Sequence, residues 1–324
     1  MEDKTEILFE RSLNVKYDDT MSDIKSLIKR LGTISIDALP SELDIKMQKH
    51  RQAQLSAICI PVKSIDTMSL KIEDALSNCG TKIRGLTLIQ EGVAFSSCYE
   101  KQVTCIDETG SHVFTLNTTT DAFDLMYIPR EQKIAVSSGG NPPHRITLIN
   151  IMKRTEINTS FSLPSYVYGM ALEDSKLLCA VQDKGIYSIT TNEKSKTPKV
   201  IMDRNIDIYS YIATFKGKLY YTNGEKDTVT CCKDTGEVIW QFEEKSVLCD
   251  PAGIAVDMKG FVYVAGKNTS NVVAIAPDGK TFKQLLSKDD GLISPMAIHF
   301  CNTTSELLVA NHSNLIFRCS IRYT

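Results

Sequence analysis

The residues of this chain able to catalyse or to hold a metal are its five histidines, its ten cysteines and a scatter of carboxylates. His50, His112, His144, His299 and His312 fall in no catalytic motif. No G-x-S-x-G elbow and no phosphate-cradling G-x-x-x-x-G-K occurs. Cys59, Cys79, Cys98, Cys105, Cys179, Cys231, Cys232, Cys249, Cys301 and Cys319 form no C-x-x-C and sit beside no histidine at zinc-ligand spacing. Adjacent Cys231 and Cys232 point to opposite faces of a strand, so the thiols read as reduced packing groups of a cytosolic protein. One constellation offers chemistry. Asp124, Glu173 and Asp257 stand at equivalent ends of repeated strands, where a ring of oxygens could hold calcium as in a lactonase-like hydrolase. Asp257 belongs to a D-x-x-G turn, which gives it a structural role, and no asparagine pair accompanies the three. The expectation is a chain without catalytic residue, metal or cofactor, with the hydrolase as the enzymatic alternative.

Binding chemistry is better represented. Arg84, Phe123, Tyr166, Tyr168, Tyr209, Tyr211 and Asp250 precede or open one set of repeated strands. Tyr99, Lys101, Arg145, Lys184, Lys226, Lys267, Asn271 and His312 fall between another two sets. Tyrosine and arginine are enriched at interaction hot spots, because a rigid amphipathic ring or a planar guanidinium loses little entropy on docking. Arg84, Tyr99, Arg145, Tyr166, Tyr168, Lys184, Tyr209, Tyr211, Lys226, Lys267, Asn271 and His312 are therefore the candidate binding residues, with a protein as the expected partner. The bland alternative is that the tyrosines fill gaps in a core. RNA is the second partner considered, since lysines beside aromatic rings suit phosphates and bases. Asp183, Glu225, Asp227 and Asp250 interrupt the lysines and weaken it.

These residues must be positioned by something that repeats. From Gly253 the chain reads GIAVDMKGFVYVAGKNTSNVVAIAPDGKTFKQLL, four short apolar stretches separated by turn residues. Four strands joined by tight turns make a meander, the unit of a propeller blade. First-strand segments GLTLI, DLMYI, GMALE, YIATF, GIAVD and PMAIH centre on Thr87, Met126, Ala171, Ala213, Ala255 and Ala297, spaced by 39, 45, 42, 42 and 42 residues. Small residues at the centres suit inner strands that crowd towards an axis. Second and third strands follow each, and Asp107–Gly110, Asp234–Gly236 and Pro277–Gly279 are hairpin turns into the fourth. The sixth unit ends at IFRCSIRYT without room for a fourth strand, so Met68–Ile72 is expected to supply it. The reading is all-β, a six-bladed β-propeller closed by an N-terminal strand, spanning 58–324. Trp240, on an outer strand, reads as a packing residue, and His299 as a structural histidine at a strand end.

Residues 1–57 differ. Met21, Ile24, Ile28 and Leu31 have helical spacing, Thr20 with Asp23 could cap that helix, and Gly32 ends it. Four positions are too few for a sustained coiled coil, so residues 19–31 predict a short helical remnant able to support weak homodimerisation, followed by a linker. Ser41–Leu55 is ambiguous between helix and extended chain, and Thr33–Ile36 could be a short strand.

The fifth unit, with its glycine-apolar start, D-x-x-G turn, YVA second strand and D-G hairpin, resembles an NHL repeat. DIKSLIKRLGTISIDALPSELDIKMQKHRQAQL leading to KIRGLTLIQEGVAFSSCYEKQVTCIDETG resembles the coil-to-propeller junction of mollusc-type tripartite-motif proteins. The resemblance spans nearly the whole chain and is specific in the fifth unit and at the junction. It implies a propeller that recognises a ubiquitination substrate or RNA. Such proteins carry RING and B-box zinc modules, which this sequence lacks, so ligase activity is not expected of it alone.

Composition agrees with a globular protein: 42% hydrophobic and 23% charged, with no apolar run near the ~20 residues that span a bilayer. The acidic start MEDKTEILFERS lacks a signal core, which points to a cytoplasmic location without membrane association, so the sequons at Asn117, Asn158, Asn268, Asn302 and Asn311 are not expected to carry sugar. Charge divides as 11 basic and 13 acidic residues in 1–80 and 26 of each in 81–324, so the repeated region lacks the basic excess of a typical nucleic-acid binder.

Overall fold

A computed structural model describes residues 64–323 apart from 78, 81, 98, 99 and 192–196. The expected helix at 19–31, the segments at 33–36 and 41–55, and Tyr99 lie outside the described residues. Strand β1 (Met68–Leu76) precedes the first unit. Unit one holds β2 (Ile83–Ile89), β3 (Gly92–Ser97), β4 (Gln102–Ile106) and β5 (His112–Asn117); unit two holds β6 (Leu125–Ile128), β7 (Lys133–Ser137), β8 (Arg145–Asn150) and β9 (Thr155–Ser162). Unit three holds β10 (Val167–Glu173), β11 (Lys176–Val181), β12 (Gly185–Thr190) and β13 (Lys199–Met202). Unit four holds β14 (Ile212–Phe215), β15 (Lys218–Asn223), β16 (Thr228–Lys233) and β17 (Val238–Glu243). Unit five holds β18 (Pro251–Val256), β19 (Val262–Gly266), β20 (Asn271–Ile275) and β21 (Phe282–Leu286), and unit six β22 (Ala297–Cys301), β23 (Glu306–Ala310) and β24 (Ile316–Tyr323).

Each unit is an antiparallel four-stranded sheet, and the six sheets are the blades of a six-bladed β-propeller. Strand β1 is the fourth strand of blade six, running from Met68 opposite Tyr323 to Leu76 opposite Ile316. It ties the beginning of the ring to its end and pairs an edge that would otherwise template aggregation. The two middle strands of every blade are apolar on both faces because a neighbouring blade covers each side; β19 and β20 are buried throughout. Outer strands alternate instead, as in β21. Cys231 and Cys232 accordingly join different apolar clusters on the two faces of β16.

Polar staples join neighbouring first strands. Ser96 Oγ donates to the Phe123 carbonyl at 2.8 Å, and Ser137 Oγ to the Tyr168 carbonyl at 2.7 Å. Asp124 spans the same seam as Ser137, its Oδ2 accepting the Met170 N–H at 2.7 Å. At Gly169 a Cβ would lie 2.5 Å from the Tyr211 Cα, so the close approach of blades three and four requires glycine there.

Candidate functional site

Loops entering the first strands and loops joining second to third strands share one face, because antiparallel strands put both at the same end of a blade. Backbone bonds fasten the two sets together: Gln182 N–H to the Tyr166 carbonyl at 2.9 Å, Lys267 N–H to the Asp250 carbonyl at 3.1 Å, and His312 N–H to the Ile293 carbonyl at 2.9 Å.

At the axis on this face Phe123, Tyr168, Tyr209 and Tyr211 form one aromatic cluster. Phe123 stacks on Tyr209 with centroids 6.0 Å apart and a 12° tilt, and meets Tyr168 edge-on at 5.1 Å and Tyr211 at 5.3 Å. The Arg84 guanidinium lies 5.0 Å from the Tyr209 centroid and 5.5 Å from that of Phe123, within cation–π range of both. The Tyr211 hydroxyl donates to the Arg84 carbonyl at 2.7 Å, joining blade four to blade one across the ring. Beside this clasp opens a hollow of about 510 Å³ lined by Arg84, Tyr209, Tyr211, Glu225, Asp250 and Lys267 among others. Behind it, along the axis, runs a channel of about 590 Å³ whose wall includes the first-strand centres Thr87, Met126, Ala171, Ala213, Ala255 and Ala297.

Tyr209 stands apart in conformation. Its φ is 60°, a left-handed backbone that costs a bulky residue about 1–3 kcal/mol, yet 47% of its surface is exposed. The strain is held by ring contacts on one side and leaves the other edge open to solvent.

The structure separates presenters from supports among the sequence candidates. Arg84, Tyr209, Tyr211 and Lys267 meet at the hollow. Lys184 and Lys226 are exposed on the same face. Lys267 is paired with Asp250, whereas Arg145 donates to the Thr119 hydroxyl and keeps its charge. Tyr168 and Tyr211 are almost wholly buried. Tyr168 donates its hydroxyl to Gln182 at 3.2 Å, and burial pushes its pKa up. Tyr166 packs edge-on against His144 at 4.5 Å. Asn271 is 2% exposed, donating to the Val247 carbonyl and to Gln284 while its Oδ1 accepts from Thr269; it shapes its loop from within and presents nothing. His312 is half-buried where its backbone meets the blade-six entry loop. Sequence reading credited Arg84 as a surface contact, but its second role, the carbonyl that closes the clasp, depends on a partner 127 residues away.

The carboxylate constellation is corrected. Asp124 precedes β6, whereas Glu173 ends β10 and Asp257 follows β18, so the three do not share one end of their strands. Asp257 accepts from Lys259 N, Phe261 N and the Tyr263 hydroxyl, the structural role its turn implies. Asp124 is buried, each oxygen accepting one backbone N–H, and burial outweighs those bonds to push its pKa up to about 7. Among the described residues no group of three or more His, Cys, Asp or Glu is placed to hold a metal ion. Burial raises the Cys79 thiol to about 11 and those of Cys105 and Cys319 to about 12, so these thiols stay protonated at neutral pH. Trp240 packs over the Gly279 turn and donates to the Pro277 carbonyl at 3.1 Å, stapling blade four to blade five.

Fold and site define a six-bladed propeller with a clasped, aromatic axial mouth. Solved structures with this fold include a protein of unknown function from Bacteroides thetaiotaomicron VPI-5482, at TM-score 0.62 and 11% identity over 79% of this chain and 76% of that one. The virginiamycin B lyase of Staphylococcus aureus matches at TM-score 0.55 and 14% identity over 78% and 99%, and the PQQ-bound aldose sugar dehydrogenase of Streptomyces coelicolor at 0.61 and 12% over 79% and 98%. At such identities the likeness is one of fold. In sequence the chain is similar to the E3 ubiquitin-protein ligase TRIM56 of Mus musculus, 26% identical over 81 residues, which is 25% of this chain and 11% of that protein. The Homo sapiens TRIM56 is 22% identical over 157 residues, 47% of this chain and 21% of that protein. The matches thus take in about a fifth or less of these relatives' length. No family model matches the chain. The partial similarity and the six-bladed ring together fit a propeller of tripartite-motif type. No helix among the described residues is long and apolar enough to cross a membrane.

Proposed function

We propose that the chain is a non-catalytic recognition module that binds a protein through the face carrying Tyr209, as the substrate-recognition part of an NHL-type, tripartite-motif-like protein. The observation that carries this reading is Tyr209 itself, an exposed aromatic ring in a strained conformation beside a hollow of about 510 Å³. Backbone strain concentrates where a surface is preorganised for a ligand, and an exposed ring on a rigid scaffold loses little freedom on binding. The similarity to two E3 ubiquitin-protein ligases supports a role next to ubiquitin transfer, with the transfer chemistry supplied by a zinc-binding ligase module in cis or on a partner. Free thiols at all eight described cysteines support a reducing, cytoplasmic setting.

The test is affinity capture from cytosol by the full chain and by its Tyr209→Ala variant, with and without nuclease. A protein retained by the wild type through nuclease treatment and lost by the variant is the expected result. Retention that disappears with nuclease would transfer the assignment to RNA, for which Lys101, Lys184 and Lys226 are exposed cations on this face.

A further inference from the structure

We infer that the axial channel is a second binding site, for a small uncharged amphiphile that enters from the face opposite Tyr209 and hydrogen-bonds His299. The channel wall takes in every first strand and reaches the exposed residues Gln90, Asn302 and Thr303 at that face. At its other end stands Tyr211, whose hydroxyl donates to the Arg84 carbonyl, so the clasp crosses the axis at that end. Its volume, about 590 Å³, falls within the range of small-molecule sites. That room exists because four of the six first-strand centres are alanine, at positions where larger side chains would meet across the axis.

The polar groups on this wall choose the ligand. His299 lies on β22, is partly exposed, and has no hydrogen-bond partner among the described residues, so its imidazole offers a donor and an acceptor to whatever occupies the channel. Burial holds the ring's pKa down to about 4, which keeps it neutral under ordinary conditions. No lysine or arginine lines the channel among the described residues, so an anion would find no counter-charge. Asp124 is buried, and both of its oxygens already accept backbone N–H groups, from Leu125 at 2.8 Å and Met170 at 2.7 Å, so a cation would compete with staples of the ring. A neutral molecule with one hydroxyl and an apolar body satisfies His299 and covers the alanines without leaving a charge buried.

The experiment compares benzyl alcohol, benzylamine and benzoate on the full chain carrying labelled alanine methyls. Benzyl alcohol should shift the Ala171, Ala213, Ala255 and Ala297 methyl signals saturably, with the amine and the acid at least about tenfold weaker. His299→Leu should weaken the alcohol by about tenfold, the worth of one buried hydrogen bond. Ala255→Leu, which fills the channel from the neighbouring blade, serves if the first variant does not fold and should abolish the shifts. Absence of shifts with all three probes, equal shifts from all three, or an undiminished response in the folded His299→Leu or Ala255→Leu protein would each overturn the assignment. The site lies beyond the clasp from Tyr209, so this outcome is independent of whether that face binds a protein.

Discussion

Tyr209, the buried Asp124 and the half-buried His299 show how single residues here trade stability for other things. Replacing Tyr209 by alanine keeps the left-handed backbone and removes two ring contacts and a cation–π contact, a loss of about 2 kcal/mol. Replacing it by glycine removes the same contacts but relieves the strain, so Tyr209→Gly should unfold at higher denaturant than Tyr209→Ala by about 1 kcal/mol. Equal midpoints in urea titrations would show that the positive φ stores nothing. The titratable pair makes a sharper prediction. Asp124 has a folded pKa raised to about 7, so the folded state binds the extra proton above the ordinary carboxylate pKa and stability falls as pH rises from about 4 to 7. His299 has a folded pKa lowered to about 4, so the unfolded state binds the extra proton and stability rises with pH from about 4 to 6.5. The two slopes oppose each other over most of their range. Wild-type stability should therefore vary little from these groups between pH 4 and 6.5, while His299→Leu unmasks a fall and Asp124→Asn a rise, each read from denaturant midpoints across pH. Both variants tracking the wild-type curve would remove the paired burial as an account.

Strands were the legible level of this chain because each reports itself through local alternation and turn chemistry. The centres Thr87 to Ala297 all fall within or beside the first strands, and Met68–Ile72 lies within the strand that closes the ring. Hairpin turns were legible for the same reason: Asp107 accepts from Thr109 N and Ser111 N, a bond pattern confined to five residues. Contacts that depend on ring closure were not legible. The Tyr211–Arg84 clasp joins residues 127 apart in sequence, and the burial of Tyr168 arises from rings brought by the blades on either side, contacts of which periodicity carries no sign. The two glycine environments separate close approach from turn geometry. Gly169→Ala sets a Cβ 2.5 Å from the Tyr211 Cα and must part blades three and four, costing about 3 kcal/mol. Gly217→Ala meets nothing within 4 Å and pays only for its φ of 71°, about 1 kcal/mol. Thermal unfolding of the two variants should rank them in that order, and a reversal would mean the blade seam has slack.

At the scale of the whole molecule the ring is a neutral body, and this decides what kind of partner its face can take. Lys184 and Lys226 stand exposed, but Lys267 is paired with Asp250, and Asp227 sits close to Lys245 at 3.8 Å. Phosphate binding gains its free energy from released counterions, so affinity for RNA would fall steeply with salt, by a slope of about −0.7 for each phosphate neutralised. A protein held by Tyr209 and the apolar floor of the hollow would show little such dependence, because burial of ring surface is insensitive to ionic strength. Charge reversal at Lys184 and Lys226 should accordingly leave the affinity of the captured partner within about threefold, whereas Tyr209→Ala should weaken it by about tenfold or more. Binding isotherms at low and high salt measure both. A steep salt slope together with loss of binding on Lys184→Glu and Lys226→Glu would identify a phosphate backbone at this face, and the ring of aromatic side chains would then be a stacking platform for bases rather than an anchor for a protein side chain.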